Sequence, residues 1–324
     1  MTTLILPDDP RAAELLGEMD TRFFGIIEDF TDPLRSLAKI RGTYDGSETQ
    51  DPFEGLSSMN PGLSCTPWMF WETTCGLNDQ QFVDLSLGGG LVILASALLD
   101  HLADRQVKDV GSTVLLQSAL HDQGMILVRG VIAHDTEFWA HAERLLNEHR
   151  RGLAREIQCR ADPELLTEER FVETVSAKFS PIALTMVAFL SAMDQRDSIP
   201  AVERSIKDLA VASQLLDDLG DWEDDVSQKR LTLYVKSLAP NADWTADEWP
   251  TIRELQEQID QEWAELGLLN RVTVWLERSM EAVANIKCPA WISYLDGYRD
   301  LADQHLKGRT ARHIARSIHE LLPD

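Results

Sequence analysis

Apolar residues recur three and four positions apart through most of the chain, and alternating runs bounded by turn residues are nearly absent. That is the period of helices, not of strands. It predicts helices at about 10–40, 67–76, 79–108, 111–134, 135–160, 164–194, 199–227, 247–266, 268–286, 289–306 and 308–322. Two stretches rich in turn residues read as loops, GTYDGSETQDPFEGLSSMNPG at 42–62 and SLAPNADWTADEW at 237–249. No internal repeat breaks the chain into a solenoid. The segments GGGLVILASALL (88–99) and PIALTMVAFLSAM (181–193) are apolar nearly all round, so they belong at the centre of an all-α bundle with other helices around them.

Composition narrows this only a little. With 324 residues, 44% of them hydrophobic and 26% charged, the chain can bury a sizeable core. No segment approaches the roughly 18 uninterrupted apolar residues of a membrane span. MTTLILPDDP has no basic start followed by a long apolar stretch, so a cytoplasmic protein is expected. Cys65, Cys75, Cys159 and Cys288 are scattered without a CxxC pair, which fits reduced thiols. Fifty-four acidic against 30 basic residues give a net charge of −24, which argues against a sequence-independent grip on nucleic acid or anionic membrane.

Charge becomes informative where it interrupts the apolar pattern. QLLDDLGDWEDD (214–225) ends an apolar helix with six acids in nine positions. At 100° per residue Asp217, Asp221 and Asp225 fall within an arc of about 80°, with Asp224 on the same face. Read backwards, that face carries Gln214, Ser213, Ala210 and Ile206. LVILASALLDHLADRQ repeats the plan, with Asp100 and Asp104 one turn apart beyond Ala97 and Ile93. Like charges at i,i+4 destabilise a helix by a few tenths of a kcal/mol per pair. A solvated acidic surface explains either stretch alone, but two apolar helices with the same acidic end point to a shared cation. Oxygen-only ligands favour Mg²⁺ held with a phosphate ester, and no His or Cys shares the stripes as a zinc site requires.

These residues resemble the all-α class I isoprenoid synthases: trans-prenyl diphosphate synthases, squalene and phytoene synthases, and terpene cyclases. The likeness covers about residues 68–235. Asp100 and Asp104 stand in the place of the first aspartate-rich motif, although DDxxD is here DHLAD, with His101 second. QLLDDLGD resembles the prenyl synthases' Q-x-x-D-D-x-x-D, whereas the set Asp217, Asp221, Asp225 resembles the cyclases' metal triad and DWEDDVSQKR the phytoene branch. VETVSAKFSPIAL resembles the K-T-A element, with Lys178 as the diphosphate-contacting lysine and Phe179 in the place of its threonine. Arg170 rivals Lys178 as the cyclases' diphosphate sensor. Lys229 and Arg230 match the basic residues that close over the leaving group, and Tyr298–Arg299 matches a C-terminal Arg-Tyr pair in reversed order.

The resemblance implies a single all-α isoprenoid synthase domain over 1–324 with a central apolar cavity, residues 1–66 forming an N-terminal helix and loop and 67–324 the catalytic bundle. It implies three Mg²⁺ on Asp100, Asp104, Asp217, Asp221 and Asp225, and a diphosphate on Arg170, Lys178, Lys229, Arg230 and Arg299. Trp68, Phe70, Trp71, Phe171, Phe179, Gln214 and Trp291 are the candidates for the cavity wall, where ring faces would hold a carbocation. The partner is a small-molecule prenyl diphosphate, and a homodimer is allowed. The G-G-K-x-x-R-P element and the Arg-Arg pair of elongating synthases are reduced to Lys39, Arg41, Arg105 and Lys108. The expected reaction is therefore cyclisation of one linear prenyl diphosphate to a terpene hydrocarbon or alcohol. Elongating or head-to-head prenyl transfer is the alternative. Outside the family stand a helical scaffold and, from His121–Asp122 and His134–Asp135, a metal phosphohydrolase.

Overall fold

A computed structural model of the chain describes residues 7–246, 249–262 and 264–321. Helices follow one another throughout, and among the described residues the only β-type pairing is an isolated bridge between Ile40 and Pro52. The main helices are α1 (Pro10–Glu28), α2 (Asp79–Ala103), α3 (Val110–Ile132), α4 (Thr136–Ala161), α5 (Glu168–Lys178) and α6 (Ser180–Ala192). They continue as α7 (Ile199–Gly220), α8 (Trp222–Ser227), α9 (Leu233–Leu238), α10 (Ile252–Glu262), α11 (Ala264–Ala282) and α12 (Pro289–Leu321). Short helical turns fill Leu34–Thr74.

Local chemistry sets the starts. Asn78, Asp109, Asp135 and Thr167 each accept a backbone N–H two or three residues into α2, α3, α4 and α5, at 2.9–3.2 Å, which satisfies donors that a helix N-terminus leaves open.

α2 occupies the centre because its glycines let three neighbours come close. A Cβ on Gly88 would lie 2.9 Å from the Gly124 carbonyl oxygen of α3, and one on Gly124 would lie 2.6 Å from that of Gly88. A Cβ on Gly89 would meet Thr185 Oγ1 of α6 at 2.3 Å, and one on Gly90 would meet Leu56 at 2.8 Å. The all-round apolar sequence follows from this enclosure. α2 is long and apolar enough to cross a membrane, but 78% of its apolar window is buried inside the bundle. One hydrophobic core runs from Ala12 of α1 to Ala302 of α12.

The boundaries differ from the expected ones where proline, glycine or capping intervenes. The expected helix at 10–40 stops at Glu28, before Pro33. The one at 164–194 breaks at Phe179: Pro181 has no N–H to return to Ala177, Ile182 donates to Phe179 (3.0 Å), and α5 and α6 meet at 48°. The one at 199–227 is interrupted at Asp221, after Gly220. The two predicted C-terminal helices are continuous as α12, and α9 enters the start of the second expected loop.

Candidate active site

Both acidic clusters lie at helix C-termini, α2 ending on Asp104 and α7 on Asp221. The helix dipole is negative there, so carboxylates add repulsion to repulsion. At α2 two cations answer it. Lys178, at the α5–α6 break, places Nζ 2.9 Å from Asp100 and 2.8 Å from Glu156 of α4. Arg160 of α4 pairs with Asp104 at 2.6 Å and donates to the Ala103 carbonyl at 3.1 Å, closing the end of α2. Carboxylate oxygens of Asp100, Asp104 and Glu156 all come within 4.8 Å of one another.

These groups set one another's charge. Burial, the largest influence on Lys178, disfavours the ammonium, but Asp100 and Glu156 outweigh it and hold its pKa above the ordinary range. Burial raises Glu156, and Lys178 only partly reverses this. The break in the helix frees the Lys178 carbonyl, and His149 Nδ1 donates to it at 3.0 Å. His149 is buried, which lowers its pKa.

At the second cluster, Asp217 and Asp221 border a cleft of about 500 Å³ between α7 and α12, shared with Ser213, Asn60 and Tyr298. Burial first, and then the charge of Asp221, raises the Asp217 carboxyl, while Arg230 and Lys178 pull it down. Lys178 is therefore within electrostatic reach of both acidic ends. Asp221 Oδ1 is buried with no hydrogen-bond partner among the described residues.

Other expected site residues are placed differently. Asp225 does not continue the open stripe: the interruption at Asp221 turns it inward to 4% exposure, against Arg230 Nε at 2.9 Å. Burial and the neighbouring Asp221 push it up to about 7. Arg230 is thus engaged by the protein's own carboxylate. Gln214 donates to buried Asp218 at 2.9 Å, and the latter is pushed up to about 8 by burial; the amide is engaged within its own helix. Arg299 pairs with Asp296 at 2.6 Å, leaving Tyr298 to border the cleft. Arg170 donates to Gln158 at 2.6 Å near the start of α5. Lys229 is exposed, with left-handed backbone (φ 54°).

The aromatic candidates are mostly packed core. Trp68 and Trp71 pack on Phe82, and their indoles donate to Ala12 and Asp9. Phe82 precedes Asp100 by about 27 Å of helix, so both rings belong to the opposite end of α2. Phe70 lies against Trp291, whose indole donates to Ser205 at 2.8 Å. Phe171 is buried, and half-buried Phe179 caps the α5–α6 break. Indole N–H groups with fixed partners tie Trp68, Trp71 and Trp291 into the packing.

Glu156, Arg160 and His149 escaped the sequence reading. Their i, i+7, i+11 spacing puts them on one face of α4, but only the fold brings that face to Asp100 and Lys178.

No protein-family model matches the chain, and no curated protein matches it in sequence. Solved structures do. A polyprenyl synthase from Caulobacter crescentus CB15, complexed with calcium and isoprenyl diphosphate, superposes with a TM-score of 0.67 at 16% identity, covering 90% of this chain and 94% of that one. The polyprenyl synthetase of Streptomyces coelicolor A3(2) gives 0.66 at 15%, with 90% and 98% covered. The geranylgeranyl pyrophosphate synthase of Corynebacterium glutamicum ATCC 13032 gives 0.66 at 15%, with 94% and 96% covered. The chain has the all-α fold of the class I isoprenoid synthases.

Proposed function

We propose that the protein transfers prenyl groups between diphosphates, as a Mg²⁺-dependent enzyme of the trans-prenyl diphosphate synthase kind. This reverses the preference for a cyclase drawn from the sequence, because the similar structures named above are polyprenyl and geranylgeranyl diphosphate synthases. The observation that carries it is Lys178, a half-buried cation paired with Asp100 and Glu156 and within electrostatic reach of Asp217.

The donors suit a hard cation: all are carboxylate oxygens, and Asp221 Oδ1 has no hydrogen-bond partner among the described residues. Asp100, Asp104 and Glu156 would hold one Mg²⁺, and Asp217 and Asp221, backed by Asp225, the others of the expected three. Bound there, Mg²⁺ would supply positive charge to a departing diphosphate. Lys178, released from Asp100 and Glu156, would bind a diphosphate oxygen, and its desolvated setting strengthens that bond. His149 fixes the backbone from which Lys178 projects. Lys229 and Arg230 would close over the leaving group, Arg230 after leaving Asp225. Arg170 and Arg299 stay as outer candidates for the same charge.

The cyclase is kept as a second reading on one observation. Lys39 is paired with Glu28, and Arg41 with Asp45 (3.2 Å), so the two candidates for the G-G-K-x-x-R-P cations are engaged by the protein's own carboxylates. Incubation with geranyl, farnesyl and geranylgeranyl diphosphates plus Mg²⁺, with and without isopentenyl diphosphate, decides. Longer diphosphates formed only with isopentenyl diphosphate are expected; a hydrocarbon or alcohol formed without it selects the cyclase, and no diphosphate release in any mixture rejects both. One domain, a cytoplasmic location and a homodimer complete the proposal. Exposed Leu115 and Ile126, on one face of α3, are the surface offered for pairing.

A further inference from the structure

A second cleft, of about 490 Å³, opens among α4, α5, α7 and α11. Its central acid, Asp208, precedes Asp217 by nine positions, which puts it on the opposite face of α7 and about 13 Å along the axis. The cleft is thus separate from the acidic mouth.

Its charges divide into a closed set and an open one. Arg144 bonds both oxygens of Glu203 (2.9 and 2.6 Å) and one of Glu148 (2.8 Å), and Lys207 bonds the same two carboxylates at 2.7 Å each. Two cations and two anions satisfy one another. Arg204 and Arg278, by contrast, flank Asp208 at 3.6 and 3.5 Å, beyond hydrogen-bond length. Asp208 is only 5% exposed, and its Oδ2 is buried without a hydrogen-bond partner among the described residues. Arg278 is seated on the Trp275 ring at 3.9 Å, which restricts its plane.

Two guanidiniums around one carboxylate leave a local positive excess in a chain of net charge −24. Their unused N–H donors match the oxygens of a phosphate. Asp208 Oδ2, which Arg204 Nε faces only at 3.6 Å, needs the reverse, a donor at hydrogen-bond distance, because a buried acceptor without one is destabilising. We propose that this cleft binds a small organic phosphate carrying a hydroxyl group, with the phosphate held between Arg204 and Arg278 and the hydroxyl donating to Asp208 Oδ2. A lipid headgroup has the same chemistry, but the net negative charge of the chain opposes approach to an anionic membrane. The ligand is therefore a soluble metabolite.

Calorimetric titration of the full chain in metal-free buffer tests this, with glycerol 3-phosphate and inorganic phosphate as probes. Saturable binding is expected, tighter for glycerol 3-phosphate, and retained in Lys178→Gln, which disables the other anion-binding position. Arg204→Gln/Arg278→Gln should weaken it by about tenfold or more, with an unchanged melting temperature as the check on folding. Asp208→Ala should bind inorganic phosphate at least as well while losing the preference for glycerol 3-phosphate. Absence of saturable binding, loss of binding in Lys178→Gln, or equal binding by the arginine variant would overturn the site. A preference for glycerol 3-phosphate that survives Asp208→Ala would overturn the role of the hydroxyl. Co-sedimentation with phosphatidylglycerol vesicles would overturn the soluble source.

Discussion

Lys178 holds its proton more tightly than an ordinary lysine although burial disfavours the charge, and the reason is the pair of carboxylates beside it. Replacing it with glutamine leaves Asp100 and Glu156 facing each other, so the metal-free variant should lose about 1–3 kcal/mol. If those acids hold Mg²⁺, the ion should raise the melting temperature of Lys178→Gln more than that of the parent; an equal rise would remove Asp100 and Glu156 from the metal site. Asp218 gives a pH signature. Its folded pKa, pushed up to about 8, lies above the ordinary aspartate value of 3.8, so between those pH values the native state keeps a proton that the unfolded state has lost. Stability should therefore fall as pH rises from about 4 to about 8, by at most about 1.4 kcal/mol per pH unit from this group. Asp218→Asn keeps the acceptor for Gln214 and should flatten that slope in urea titrations across the range.

Helices meet at positions that single residues control. The break at Pro181 frees the Lys178 carbonyl for His149, and it divides one apolar stretch into α5 and α6 at the point where the lysine must turn. Pro181→Ala restores the missing N–H and favours one straight helix. Prenyl diphosphate turnover should drop about tenfold, about 1.4 kcal/mol in barrier, with stability changed by under about 1 kcal/mol; unchanged turnover would separate the bend from catalysis. Gly89 controls the seat of α2 on α6. Alanine there gains about 1 kcal/mol of helix propensity, but its Cβ would meet Thr185 Oγ1 at 2.3 Å. The net expectation is a loss of about 1–3 kcal/mol, only partly recovered in the double variant with Thr185→Ala, whose remaining Cβ would still lie 2.8 Å away, as read from chemical denaturation.

Over the whole molecule, Asp100 of α2 and Glu156 of α4 pair with one lysine, and that lysine also acts electrostatically on Asp217 of α7, more than a hundred positions beyond Asp100. Binding of Mg²⁺ with inorganic diphosphate should stabilise the native state by RT ln(1 + [L]/Kd), about 2.7 kcal/mol at a hundredfold excess over Kd. Asp100→Asn and Asp221→Asn should each reduce that shift, because each removes one side of a shared site. A full shift in either variant would show that the two helix ends act independently. The alternatives outside the family fit less well: His121 lies beside Asp122 at 3.4 Å on α3, while Asp135 caps α4 and pairs with Arg196, so the two His-Asp motifs hold no common centre.

The helical class, the central place of 88–99 and 181–193, and the acids at the ends of α2 and α7 were legible in the sequence, because a 3.6-residue period and i,i+4 spacing are local properties. Asp100, Asp104, Lys178, Asp217 and Asp221 could be named as candidates on that basis and from resemblance. Tertiary structure alone decided that Glu156, Arg160 and His149 join them, since no period in α4 records which helix lies opposite. It also turned Asp225 inward, gave Gln214 to Asp218, and placed Trp68 and Trp71 at the far end of α2. A hydrophobic pattern states that a ring is buried, but whether it borders open space or a neighbouring side chain depends on packing between helices remote in sequence.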